Sequence, residues 1–335
     1  MQDKIDKYKA AARRAAEWTL KLMNEDGSYR KTEHIVMGMF KAPLAMKTAG
    51  YVKEAEATMN YIEKHFFENG DFNNGHCDPS LSMYNNYRNA WLCWGAHELG
   101  RDDLAKAGGD YFESMVHPEI GGIPSRKEYH DMFQILDWGS TALGLVVLSM
   151  LGRKESAIKC GEFFEKMLDD QPEPDERLYL RRLWLNGNLI TVCQPHEIPE
   201  YIVDFQMPGM MYWYFGAAMA GLAKLYELTQ DSRWLETADR IFGLTQKCRE
   251  GVYEDLTSGK IGWGCSWLYN ATGDKKYADV VVKVADHQLK IQEPEGGWVR
   301  RPLFQSLEEQ PNIFGIEVTQ ERVVWLDYYA RALAG

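Results

Sequence analysis

Chemistry in this chain has to come from a few polar side chains set among many aromatic ones. Asp137, in LDWGST, stands beside Trp138 where a helix begins. A carboxylate there is favoured by the free N–H groups and positive end of the helix, which makes it a cap; at the rim of a pocket the same group can be a base. Tyr84, Tyr87, Arg88 and Trp91 fall at i, i+3, i+4 and i+7, one stripe of a helix. Stripes of this kind more often pack than react, yet core packing does not call for an arginine and two phenols together. Tyr212 and Tyr214, in YWYFG, occupy the equivalent end of a later helix. Hydroxyls gathered at one rim point to a pocket for an oxygen-bearing small molecule.

Other candidates carry a plainer alternative. His34, in KTEHIV, and His130, in KEYHDM, lie in long loops just ahead of helices, and imidazoles titrate near neutrality, so either can serve as acid or base. A lone loop histidine is more commonly a surface residue. Cys265 lies in GWGCSW beside Trp263, where a buried small thiol is the commoner explanation. Lys41, next to Pro43 in an apolar segment, either snorkels or, if desolvated, needs a partner such as Glu33 or Glu317. Asp204 and Gln206, in VDFQMP, form part of a lid or merely a polar turn. His76-Cys77-Asp78 and His196-Glu197 resemble ligand sets, but neither has further partners at metal spacing, so no metal and no cofactor is expected.

These side chains need helices to hold them. The clearest unit runs from Lys260 to Trp298: a nearly uncharged aromatic segment, a stop at Gly273-Asp274, an amphipathic segment with Val280, Val281, Val284, Ala285 and Leu289 on one face, then a Gly-aromatic corner. A helix without charge on any face must be buried all round, whereas one with a wet face lies outside. Inner segments of the first kind start near positions 36, 86, 137, 210, 260 and 318, each joined by a short turn to an outer segment, the last pairing with residues 3 to 23. Pro43 either kinks the first of them or delays its start. Six such pairs predict an all-α fold, an (α/α)6 barrel occupying residues 1 to 335 as one domain, with its long loops at the inner-helix N-termini. Residues 169 to 208 break the repeat; Asn186-Gly187 inside the apolar runs predicts an inserted β-hairpin between Arg177 and Val192. By this register Asp137, Tyr87, Arg88, Tyr212 and His130 should meet at one cavity.

Composition narrows the partners. With 38 Lys plus Arg against 49 Asp plus Glu, a net charge of -11 argues against nucleic acid or an anionic membrane face. No apolar run is long enough to span a bilayer, and the first residues have no apolar core of a signal peptide, so a soluble cytoplasmic protein is expected. The 6 cysteines lack paired spacing, which indicates neither a disulfide framework nor a zinc cluster. Homo-oligomerisation stays open.

Gln292-Glu-Pro-Glu-Gly296-Gly-Trp298 matches the Q-x3-G-x-W core of the repeat of squalene cyclases and related terpenoid cyclases, and looser copies occur at Met23–Tyr29 and Phe66–Phe72. The chain thus resembles that superfamily of α-α toroids. The resemblance implies the fold and a structural role for the motif in tying outer helices together. The acidic run that protonates an alkene in class II cyclases is absent, as is the zinc set of protein prenyltransferases. Toroids of similar size include linalool dehydratase/isomerase, N-acylglucosamine 2-epimerases and unsaturated glucuronyl hydrolases.

Three functions compete. The first is a cofactor-free lyase or isomerase working by acid-base catalysis on a small, largely apolar hydroxyl- or carbonyl-bearing molecule against an aromatic wall. The second is a carbohydrate-active enzyme of the epimerase or glycuronyl hydrolase type. The third is a binding toroid without catalysis. Polarity inside the barrel separates the first two, because sugar hydroxyls are costly to bury unpaired. The Trp, Met, Leu and Ala of the inner segments tip the expectation towards the apolar substrate.

Overall fold

The computed structural model describes residues 1–73, 84–125 and 134–335. Among them are thirteen α-helices. α1 (Gln2–Leu20), α2 (Ala42–Thr48), α3 (Val52–Phe66), α4 (Asn85–Glu98), α5 (Asp102–Met115), α6 (Trp138–Met150) and α7 (Lys154–Asp169) precede the insertion. The short α8 (Ile198–Tyr201) lies in it, and α9 (Trp213–Thr229), α10 (Arg233–Lys247), α11 (Gly259–Thr272), α12 (Lys275–Lys290) and α13 (Asn312–Ala334) follow.

The two kinds of helix alternate as their charge patterns require. α6 is buried from Trp138 to Ser149 and α9 from Trp213 to Ala223, spans without a charged residue. α12 instead buries Tyr277, Val280, Val281, Val284, Ala285 and Gln288 on one face and wets the other. The inner helices α2, α4, α6, α9, α11 and α13 touch one another in that order, and α13 returns to α2. Each carries its own outer partner, with α1 behind α13. This closed ring of six pairs is the all-α (α/α)6 barrel that the repeat predicts.

The late start expected at Pro43 is present, and one other boundary differs from expectation. A 3-10 turn at Val36–Gly38 precedes α2, which starts late because Pro43 fits only a first helical turn. α13 begins at Asn312 rather than near 318, straight after Pro311. Gly315, inside α13, lets Trp18 approach to 3.1 Å of where a Cβ would stand.

The Q-x3-G-x-W corner joins α12 to α1. Gln292 Nε2 donates to the carbonyls of Ala11 (3.0 Å) and Gly296 (2.8 Å), while Trp298, fully buried, donates from Nε1 to Gln288 O at 2.9 Å. Gly296 has φ +109°, and a Cβ there would lie 2.4 Å from Arg14 O. Only glycine fits this contact between outer helices.

The insertion is narrower than a free hairpin. β1 (Ile123–Pro124), β2 (Ile135–Asp137) and β4 (Arg181–Leu183) form one antiparallel sheet, and β3 (Arg177–Tyr179) pairs with β5 (Ile202–Asp204). The Asn186-Gly187 turn does form, with Gly187 at φ +71°, but strand pairing across it is one bridge, Arg182 to Leu189. Leu185 (65% exposed), within the turn, and Val192 (84%), past the bridge, have no core to bury, so pairing does not propagate. The Arg181 strand takes its partner instead from the segment leading into α6.

Candidate active site

At the long-loop rim, the first turns of α4, α9 and α11 and the first half of α13 surround a cavity of about 290 Å³. Its floor is a column of indoles: Trp91 against Trp325 (5.2 Å between centroids), Trp325 against Trp263 (4.6 Å), and Trp263 against Trp94 (5.5 Å). All four indoles are buried and in contact, so they fill the barrel interior beneath the cavity as a plug.

Above the plug sits a buried ion cluster. Glu317 and Glu321 lie four residues apart on α13 and so share the face that the ring turns inward. Lys41, fully buried just before α2, donates to both carboxylates. Lys260, 3% exposed in the first turn of α11, donates to the other oxygen of Glu321, which also accepts Trp325 Nε1–H at 3.0 Å. Aromatic faces hold the two ammoniums: Lys260 lies over Trp213 (5.2 Å) and Tyr87 (5.3 Å), and Lys41 over Phe40 and Trp91 (both 5.2 Å). Burial pushes the Lys260 ammonium down to about 8, against the attraction of Glu321. Burial alone would raise Glu321, but the charges of Lys260 and Lys41 and the hydrogen bonds from both outweigh it and hold the carboxyl well below the usual range.

A second group of charges completes the lining. Glu200, carried in by α8, has its carboxyl raised above the usual range by burial, against the pull of Arg181. Arg88 donates from Nε to Asn73 Oδ1 at 3.2 Å. Arg322 donates to the carbonyls of Val318 (3.0 Å) and Leu256 (3.1 Å), and Arg300 stacks on Phe314 at 5.0 Å. Among the described residues, seven of the twenty that line the cavity are therefore Arg, Lys or Glu, so the apolar interior expected from the inner helices is not what the cavity presents. Their Trp, Met, Leu and Ala fill the plug below, and the charges come from α13, from loops and from helix starts.

The candidate residues divide accordingly. Tyr84, Tyr87 and Arg88 line the cavity, while Trp91 and Trp263 lie one layer deeper in the plug. Asp137 caps α6, accepting from Ser140 N–H (2.7 Å) and Oγ–H (2.8 Å) and facing Arg181 Nε at 3.4 Å. It does not line the cavity, though its charge bears on Tyr84 and Glu200. Tyr212 is turned away, its hydroxyl donating to Met207 O at 2.6 Å. Tyr214 is buried behind Trp213, with stacked centroids 4.0 Å apart, and its carbonyl accepts Trp138 Nε1–H at 2.8 Å, which turns Trp138 away as well.

Cys265 is buried outside the lining, and burial pushes its thiol well above the usual range, the opposite of an activated nucleophile. His34 is exposed on its loop and lies outside the lining. Gln206 is exposed and donates to Lys247 O at 2.9 Å, while Asp204 accepts from the backbone of Gln206 and Met207, so both form a turn rather than a lid over the cavity. Glu197 caps the backbone of Gln194 at 2.8 Å. His130, His76, Cys77 and Asp78 lie outside the described residues. Among the described residues no three His, Cys, Asp or Glu side chains gather as a metal would require.

That a desolvated Lys41 needs a carboxylate was legible from a lysine in an apolar segment; of the two partners offered, Glu317 takes the role, and Glu33 bonds to Asn24 and Lys31 instead. Glu200, Lys260, Arg300, Glu321 and Arg322 were missed as site residues. The usable signal was Glu317, Glu321 and Trp325 at helical spacing on an inner helix, where a charge cannot face solvent.

No protein-family model matches the chain, and no curated protein matches it in sequence. In structure it is similar to a family 76 α-mannanase of Bacteroides thetaiotaomicron, at 13% identity and TM-score 0.65, covering 98% of this chain and 97% of that one. It is similar to an unsaturated glucuronyl hydrolase specific for heparin, at 12% identity and TM-score 0.65, covering 100% and 99%. It is also similar to a type II terpene cyclase from Scytonema, at 13% identity and TM-score 0.57, covering 99% and 100%. The chain is an α/α toroid. Among the described residues of this toroid no helix is long and apolar enough to cross a membrane.

Proposed function

We propose that this toroid is an enzyme that performs acid-base chemistry on a hydroxyl-rich, sugar-like small molecule bound in the rim cavity, by hydrolysis or epimerisation. The observation that carries the reading is the set of seven Arg, Lys and Glu side chains, among the described residues, in a cavity walled by Trp213, Trp325 and Tyr87. Polar groups there can pair with the hydroxyls of a sugar, which are costly to bury unpaired.

Two lining groups are poised for opposite roles. Burial raises the Glu200 carboxyl and so makes it a stronger proton acceptor, which assigns it the base; Lys260, at about 8, is protonated at pH 7 and gives up its proton easily, which makes it the acid. Glu321 stays ionised and fixes the Lys260 ammonium.

Other details separate the sugar readings. A structural neighbour of this chain is an α-1,6-mannanase made inactive by substitution of two consecutive aspartates. Among the described residues here, consecutive aspartates occur only at Asp102-Asp103 and Asp169-Asp170, on helix ends away from the cavity. That favours a chemistry other than the mannanase's. For the apolar lyase or isomerase, the aromatic faces that would stabilise a cationic transition state already hold Lys41 and Lys260, whose charges would repel it.

The test is a panel of glycosides and free sugars with the wild-type chain and Glu200→Gln. The variant should keep its melting temperature and lose at least about 100-fold in kcat with a small change in KM. Unchanged turnover in Glu200→Gln would remove the assigned base.

A further inference from the structure

We infer that the α11 side of the cavity is a subsite for an anionic substituent of the substrate, a carboxylate or a phosphate, held by Arg322, Arg300 and the first N–H groups of α11. The inference deepens the sugar-site reading and rests on it for the rest of the ligand.

Among the described lining residues four cationic side chains stand against three carboxylates, in a chain of net charge -11. Glu317 and Glu321 are answered by Lys41 and Lys260. Arg300 and Arg322, by contrast, have no carboxylate at ion-pair distance among the described residues. Arg322 is only 4% exposed, and its Nε, buried in the cavity wall, has no hydrogen-bond partner. A guanidinium left in this state is costly unless a ligand completes it, and its planar fork matches the two oxygens of a carboxylate or phosphate.

The backbone points the same way. α11 starts at Gly259 in the cavity lining without a side-chain cap, because the Ser258 hydroxyl donates to Val252 O instead. Among the described residues the N–H groups of Gly259 and Lys260 have no protein acceptor, and the positive end of a 14-residue helix stands behind them. Gln288, 3% exposed beside Gly259 with its Oε1 unpartnered, supplies an acceptor for a neighbouring hydroxyl.

The test is titration calorimetry at fixed ionic strength with glucuronate, glucose 6-phosphate, glucose, acetate and inorganic phosphate. At least one anionic sugar should bind ten-fold or more tightly than glucose, and which of the two does so names the substituent. Arg322→Gln should abolish that preference, and Arg300→Gln, at a half-buried position, should reduce it several-fold. Equal affinity for glucose and both anionic sugars, absence of binding by either anion, or a preference intact in both variants overturns the inference. Glucose binding without an anion preference would leave the sugar reading standing alone. Acetate or phosphate binding as tightly as the matching sugar would keep the anion subsite and remove the sugar reading.

Discussion

Glu321→Gln removes one charge from a buried cluster of two lysines and two glutamates. Lys41 keeps Glu317, but Lys260 loses its only ion-pair partner among the described residues while remaining 3% exposed. Stranding a buried ammonium in this way costs about 3–5 kcal/mol at pH 7, less whatever is recovered when Lys260 sheds its proton. That recovery has a signature. A lysine whose folded pKa lies below its unfolded value of 10.5 binds fewer protons in the folded chain, so stability rises with pH between the two values, by about 1.4 kcal/mol per unit. With Lys260 at about 8 in the intact chain, this rise begins only above pH 8. Without Glu321 it begins lower, so the variant should gain about 1 kcal/mol between pH 7 and 8 while the wild type changes little from this group. Urea denaturation at pH 7, 8 and 9 reads both numbers. A loss below about 1 kcal/mol, or identical pH slopes in the two proteins, would refute the buried cluster as described.

Three further outcomes follow from single contacts. Gly296→Ala places a Cβ 2.4 Å from Arg14 O at φ +109° and should cost about 2 kcal/mol or more in thermal unfolding, with α12 and α1 loosening together. Asp137→Asn keeps the cap on α6 but removes the carboxylate 3.4 Å from buried Arg181; it should lower stability by about 3 kcal/mol and leave kcat within about threefold, as a structural cap requires. Cys93, Cys160 and Cys265 are buried with thiols pushed up by burial, so a thiol reagent should label them only after denaturant is added, whereas partly exposed Cys193 should react in the native chain.

The ring was readable because its signals are one-dimensional. An uncharged helix such as α6 and a half-wet one such as α12 differ in composition along their own length, and the short turns identify which helices are neighbours. The corner at Gln292 to Trp298 was readable for the same reason. The cavity was harder, because a residue at the right rim still has to point the right way. Tyr212 and Asp137 are at that rim, but a carbonyl at Met207 and the N-terminus of α6 claim their polar atoms. Lys260 escaped notice because one lysine at a helix start looks solvent-exposed; its partner Glu321 stands 61 positions away on another helix. Glu200 reaches the cavity only through the insertion, the part of the chain without a repeat to place it. The hairpin expectation erred in extent because strand pairing there depends on β2 and β5, contacts that local alternation does not reveal.

The pH dependence of kcat/KM, measured on the best substrate from the glycoside panel with wild type and Lys260→Arg, tests the acid-base assignment most directly. The wild type should be bell-shaped, with the acid limb from ionisation of Glu200 and the alkaline limb near pH 8 from loss of the Lys260 proton. Lys260→Arg should keep the positive charge, lose at least about 100-fold at pH 7, and show no limb near pH 8, because a guanidinium does not release its proton there. An alkaline limb that persists unchanged in Lys260→Arg, with the rate at pH 7 intact, contradicts the central claim.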